Sequence, residues 1–163
     1  RHYSKEYYLD IIEKARREIP DIAFSTDLMI GFPGETEEDV LDTIDVVRKV
    51  KYDTAFTFIY SKRKGTPAAN MENQIPEQVK HERFNRVLEA VNEEIAKISE
   101  SYKDKVVEVL VEGRSKTDET LLTGRTRQNK LVNFTGGNDD LVGKLVNVKI
   151  TSPKSFSLQG ELV

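Results

Sequence analysis

At 163 residues, with 37% hydrophobic and 33% charged side chains and a formal net charge of −3, the chain has the size of one domain, or of a partial domain joined to a small one. It contains no cysteine, which excludes disulfides, thiolate zinc sites and protein-ligated iron–sulfur clusters within these residues. No apolar run approaches the roughly 20 residues of a membrane span, and no secretion signal opens the chain, so a cytoplasmic location is expected.

The opening Arg1-His2-Tyr3 has no Met and reads as a cut inside a longer chain. The two histidines, His2 and His81, lie far apart without metal-ligand spacing, so surface positions and no metal site are expected. Charge is uneven. The sequence up to Lys105 is net acidic, and Val106 to Val163 is slightly basic, too weakly to announce a nucleic-acid binder by charge alone.

In chain order, Ser4 is a good helix N-cap, and Tyr7, Tyr8, Ile11, Ile12, Ala15 and Ile19 follow at helical spacing until Pro20. Ile22 to Ile30 reads as a strand and runs into the turn Gly31-Phe32-Pro33-Gly34-Glu35. Thr36, with Asp39 three residues on, resembles a capping box, and Val40, Leu41, Ile44, Val47 and Val50 make the next helix amphipathic. Thr54 to Tyr60, aromatic and β-branched, is a second strand. Helix, strand, helix, strand with short connections is the α/β pattern and predicts parallel strands. Parallel sheets are covered on both faces, and two strands close no barrel. The first half therefore reads as part of a larger α/β domain.

A polar loop, Ser61 to Asn73, precedes a long helix starting near Pro76, with one apolar stripe through Phe84, Val87, Val91, Ile95, Ile98 and Tyr102. From Val106 the period becomes two: Val107, Val109 and Val111 alternate with Glu108, Leu110 and Glu112. Val146, Val148 and Ile150 alternate in the same way. Turns at Gly113, Gly136 to Asp139 and Ser152-Pro153 divide this stretch into several short strands, which predicts a small closed β-barrel. The expected division is 1–75, a partial α/β barrel; 76–105, a connecting helix; and 106–163, the small barrel.

Three places carry candidate chemistry. Gly31 to Thr36, between a strand and a helix, suits either a ligand approaching backbone amides or a plain tight turn, and it matches neither the Walker A nor the dinucleotide pattern. In the preceding strand Ala23, Ser25, Asp27 and Met29 share one face, which places Asp27 inward near the C-terminal mouth of a helix-wrapped barrel. Arg125, Arg127 and Lys130 put three cations in one strand and its turn. Two residues apart, Arg125 and Arg127 are expected on one face, where they suit phosphate contacts or a charged, solvated edge. Lys144, Lys149 and Lys154 are candidates to extend that patch. The acidic run Glu35 to Asp39 is expected to serve the helix macrodipole rather than a metal.

Taken together, Thr26 to Glu37 (TDLMIGFPGETE) and Phe56 to Ser61 with Gly65 to Ala69 resemble the late barrel segments of radical-SAM methylthiotransferases. Leu122 to Phe134 with Ser157 to Leu162 is similar to the TRAM domain of their MiaB-type branch. The resemblance covers essentially the whole chain. It implies a partial radical-SAM (TIM-like) barrel followed by a small all-β, OB-like TRAM barrel. The implied activity is methylthiolation of N6-isopentenyladenosine beside the tRNA anticodon, using S-adenosylmethionine and two [4Fe–4S] clusters. It also implies that the cluster cysteines sit in preceding segments absent here, so that this chain alone is inactive. The partners are then the anticodon stem-loop of tRNA and the missing N-terminal and early barrel segments, with no membrane. The implied cofactor-binding residues are Arg1, Asp27, Met29, Gly31, Tyr60 and Ser61, and the implied RNA-binding residues are Arg125, Arg127, Lys130 and Lys154, with no catalytic or metal residue in the chain. Two other readings stay open: a non-catalytic RNA-binding module, and part of a sister enzyme acting on another tRNA adenosine or a ribosomal protein.

Overall fold

Helix α1 (Lys5–Glu18) begins where Ser4 Oγ accepts the Tyr7 amide, and α2 (Glu37–Val50) begins at a complete capping box between Thr36 and Asp39. These are details of a computed structural model that describes residues 3–163. Lys5 ties the two helices together through Asp42 and Asp45, at 2.6 and 2.7 Å. Arg16 donates to the Val50 carbonyl at the C-terminus of α2, and its guanidinium lies 5.2 Å from the Phe24 ring centroid.

Strands β1 (Ser25–Ile30) and β2 (Thr54–Ile59) pair in parallel from Ser25↔Thr54 to Ile30↔Ile59. β1 starts three residues later than Ile22, because the Ile22 amide turns back to Ile19 and Phe24 N–H donates to the Asp53 carboxylate. Burial alternates along both strands. Thr26, Leu28 and Ile30 face a core built with Ile12, Val40, Val47, Val50, Tyr52, Val87 and Val91. Within that core the Tyr52 and Tyr8 hydroxyls meet at 2.8 Å, and burial, reinforced by this bond, pushes the Tyr52 phenol above its ordinary range. On the opposite face Met29, Phe56 and Phe58 remain 51 to 56% exposed. The parallel sheet is therefore covered on one face and bare on the other, contrary to the habit of parallel sheets.

Helix α3 (Glu77–Glu100) follows a short 3-10 turn at Pro67–Asn70. The chain divides into two compact units, one ending at Ile95 and one running from Ala96 to Val163.

The second unit is a closed five-stranded barrel. β3 (Val106–Arg114), β4 (Leu122–Thr126), β5 (Leu131–Thr135), β6 (Leu145–Pro153) and β7 (Leu158–Leu162) pair in the order β3-β4-β5-β7-β6 and back to β3. All pairs are antiparallel except β5 and β7, which run parallel from Val132↔Leu158. The alternation read from the sequence holds: Val109, Val111, Leu122, Val132, Phe134, Val148, Ile150 and Leu158 point inward and are at most 1% exposed. Each such side chain contributes on the order of 1.5–3 kcal/mol by burial. Bulges at Val111/Gly113 and Ile150/Ser152 bend the long strands, and Gly124 lets β4 approach the Leu110 carbonyl so closely that a Cβ has no room.

Candidate functional site

Two sites take shape, one in each unit. In the first, β1 and β2 end side by side and their tips open onto a cleft of about 330 Å³. Met29, Phe32, Phe58, Tyr60, Ser61 and Arg63 line it, with Ile59, Thr66 and Ala68. Phe32 and Tyr60 meet edge to face with ring centroids 5.3 Å apart. Tyr60 is 7% exposed, and its buried hydroxyl has no hydrogen-bond partner among the described residues. A buried orphan of this kind calls for an explanation, and a ligand is one.

Of the residues anticipated for a cofactor, the cleft gathers Met29, Tyr60 and Ser61. Asp27 is exposed on the bare face opposite Phe56 and does not line the cleft. Gly31 does not line it either. Its N–H donates to Glu35 Oε2 at 2.8 Å, and at φ +79° it packs so tightly on Lys80 that a Cβ would lie 2.5 Å from Lys80 Cγ. Arg1 lies outside the described residues.

Behind the cleft, a lattice of charges that the sequence did not disclose fixes the Gly31–Glu35 turn. Glu35 is not a macrodipole residue, as its place in the acidic run suggested. Its carboxylate accepts from Gly31 N–H and pairs with Arg83 at 3.1 Å, both side chains nearly buried, while Arg83 Nη1 also donates to the Glu35 carbonyl at 2.8 Å. Lys80, 3% exposed, reaches Glu77 at 2.7 Å and the Tyr60 carbonyl at 3.4 Å, and lies 5.4 Å from the Tyr60 ring centroid. Lys80 and Arg83 stand three apart on α3, a spacing that puts them on one face. Nothing in the sequence paired them with residues some 20 and 48 positions away.

In the second unit, topology assembles the cations. Because β5 and β7 are parallel and in register at Val132↔Leu158, the turn before β5 and the loop before β7 lie at the same end of the barrel. Those connections are 127–130 and 154–157, and they carry Arg127, Lys130 and Lys154 with no carboxylate. Lys103, Asp104 and Lys105 enter β3 at this end, where Lys105 and Asp104 exchange backbone bonds with Ile150. The connections at the opposite end hold Asp118, Glu119, Asp139 and Asp140 against Lys116 and Lys144. The barrel is electrostatically polar along its axis, and Lys144 sits at the wrong end to join the patch. Lys149 lies mid-wall, opposite Val106 and Glu161.

Arg125 and Arg127 do not share a strand face as expected. β4 ends at Thr126, and Arg127 lies in a turn closed by Asn129 N–H to the Thr126 carbonyl, with Asn129 at φ +62°. Arg125 is engaged: it lies 3.4 Å from Glu112 and donates to the Asn129 carbonyl at 3.1 Å. Arg127 is exposed and forms no ion pair among the described residues.

Among the described residues there is no group of three or more His, Cys, Asp or Glu that could hold a metal ion, and no helix is long and apolar enough to cross a membrane. Residues 100–163 match the TRAM domain family. Across its whole length the chain is 76% identical to the tRNA-2-methylthio-N(6)-dimethylallyladenosine synthase of Clostridioides difficile, of which it spans 34%. It is 60% identical to the proteins of that name from Clostridium beijerinckii and Clostridium perfringens, spanning 35% and 36% of them. The chain thus spans about a third of the length of the curated relatives it matches, and the part matched is their C-terminal one. By sequence the chain is similar over its whole length to the C-terminal third of these synthases, and its residues 100–163 carry the TRAM domain.

Proposed function

We propose that the chain is the tRNA-holding part of an enzyme that methylthiolates N6-isopentenyladenosine beside the anticodon. In this reading residues 1–75 belong to the late part of a radical-SAM (TIM-like) barrel, 76–105 connect, and 106–163 form an OB-like barrel that grips the anticodon stem-loop in the cytoplasm. The observation that carries it is identity of 76% running through both units to one relative. The bare face of the β1–β2 sheet supports it: Met29, Phe56 and Phe58 are where preceding strands of a longer protein would pack. The relatives are named for a tRNA adenosine, which favours this reading over a sister enzyme acting on a ribosomal protein.

The cleft suits the adenosine end of S-adenosylmethionine. Its volume lies in the range of small-molecule sites, its walls are aromatic, and the Tyr60 hydroxyl is a polar group left over for a ligand. Met29, Tyr60 and Ser61 would hold the cofactor, and Asp27 and Gly31 flank Met29 two residues to either side in the chain. When bound, the cofactor supplies the methyl group and the 5′-deoxyadenosyl radical. The work of this chain's residues is to stack on its base, orient it and exclude water. Two [4Fe–4S] clusters do not fit here. With no cysteine the chain offers no thiolate, so their ligands belong to other segments of the parent enzyme and this portion is inactive alone.

The test is binding of an anticodon stem-loop RNA by the 163-residue chain at several salt concentrations. Replacing Arg127 and Lys154 with Ala is expected to weaken binding on every sequence and to lower the salt slope by roughly one to two units, as fewer counterions are released. Arg125→Ala should change the slope less, because Glu112 already offsets its charge. An unchanged slope in the double variant removes these cations from the RNA surface.

A further inference from the structure

Phe156 is 82% exposed, the most exposed large hydrophobic side chain among the described residues, and it stands at the tip of the loop between β6 and β7. The loop is built. Lys154 N–H donates to the Ser157 carbonyl at 2.8 Å and closes it into a tight turn, and Ser99 Oγ, on a residue 3% exposed, approaches the Ser155 carbonyl at 3.5 Å from α3. Pro153↔Leu158 pairing fixes its base on the barrel wall. An aromatic ring held out by an ordered turn has no structural task in its own barrel, whose core is closed without it.

Its neighbours identify the partner. Lys154 is in the same loop, and the β5–β7 register brings Arg127 and Lys130 to the same barrel end. Neither of the two loops contains a carboxylate. A flat apolar face among cations is the arrangement that holds single-stranded nucleic acid, with phosphates on the cations and an unpaired base on the ring. Paired bases in a duplex present no free face to such a ring. A protein partner would also use an exposed aromatic, but nothing in these two loops complements a mixed-charge protein surface.

We infer that Phe156 is a stacking platform for one unpaired nucleobase, and that the β4–β5 turn and the β6–β7 loop together form a contact surface for single-stranded RNA. This rests on the RNA-binding role proposed above and assigns to it a base contact that cations alone do not provide. The contact is sequence-tolerant, since every base has a π face.

The chain has no tryptophan, so Phe156→Trp places a single indole reporter at this position. The experiment titrates the 163-residue chain with a labelled unpaired RNA and with a duplex of the same composition, following RNA anisotropy and indole emission. The unpaired RNA is expected to quench the indole in step with binding, and the duplex to leave it nearly unchanged. Phe156→Ala should lose about tenfold in affinity for the unpaired RNA, in keeping with the usual worth of one stacked base. Its salt slope should stay intact, because no cation is removed. Phe156→Tyr should restore binding and Phe156→Leu should not, with circular dichroism showing the barrel unchanged. RNA binding with a normal salt slope but no quenching, and with Phe156→Ala or Phe156→Leu equal to the unsubstituted chain, overturns the stacking role and leaves the RNA-binding reading standing. Equal losses on duplex and single strand also overturn it. Failure of the unsubstituted chain to bind either RNA overturns both.

Discussion

Among the described residues β1 and β2 pair only with each other, over six residues, which leaves both outer edges open and one face bare, whereas β3 to β7 pair around a full circle that leaves no strand at an edge. Both sheets alternate in burial along their strands. They differ in what the alternation reaches. In the barrel every inward side chain meets another strand's inward side chain. In the α/β unit, among the described residues, only one of the two faces is packed, and Met29, Phe56 and Phe58 stay half-exposed on the other. A closed barrel is complete at under 60 residues, while a parallel sheet acquires its second cover only from more chain. The α/β unit is then held together by its helices and charge lattice, and the barrel by its own ring of strands.

Perturbing each support separately sharpens that contrast, and the largest effect is expected at the nearly buried Glu35–Arg83 ion pair. Arg83→Met leaves the Glu35 carboxylate, which also holds Gly31 N–H, buried without its partner. A loss of about 3 kcal/mol is expected for the α/β unit, since breaking one side of a buried pair strands the other charge. Urea unfolding followed by residue-resolved amide signals should show the β1 and β2 resonances melting earlier and the barrel resonances unmoved. A common shift in both sets would mean that the two sheets are not independently supported.

A smaller effect is expected at the cap of α2. Thr36→Ala should cost about 1 kcal/mol, confined to the α/β unit. The Thr36 backbone N–H, then its hydroxyl, hold the Asp39 carboxyl below its ordinary value near 3.8. A carboxylate with a lowered folded pKa adds stability that is fully present above the unfolded value and is lost as pH falls through the folded one. Asp39→Asn is therefore expected to flatten the acid limb of α/β-unit stability below about pH 4 and to leave the barrel's limb unchanged. Thermal melts between pH 2 and 6 measure it, and an equally steep acid limb in the variant would remove Asp39 from the account.

Much of this contrast was legible in the residues. Ser4 and the Thr36–Asp39 pair announced their helices because caps are local, and the valines of β3 and β6 announced a one-sided core because a strand's period is two. The start of β1 was not legible, since Phe24 is drawn off by the carboxylate of Asp53, far along the chain. Glu35 was misread for the same reason: its partner Arg83 is 48 residues away, and charge composition alone cannot pair them. At the barrel, Arg127 was placed on a strand that ends one residue earlier, at a turn closed by Asn129 in the left-handed region. The joining of Arg127 and Lys130 with Lys154 depended on the parallel pairing of β5 and β7, which local alternation does not encode.

Backbone hydrogen exchange by the 163-residue chain distinguishes the closed barrel from the open sheet, because it reads each strand's opening separately. Amides of Val109, Val132, Val148 and Ile150 in the closed barrel are expected to exchange far more slowly than those of Leu28, Met29 and Phe58 in the open sheet. Equal protection in the two sets would contradict the account, since it would show that the two-stranded sheet needs no further chain to be stable.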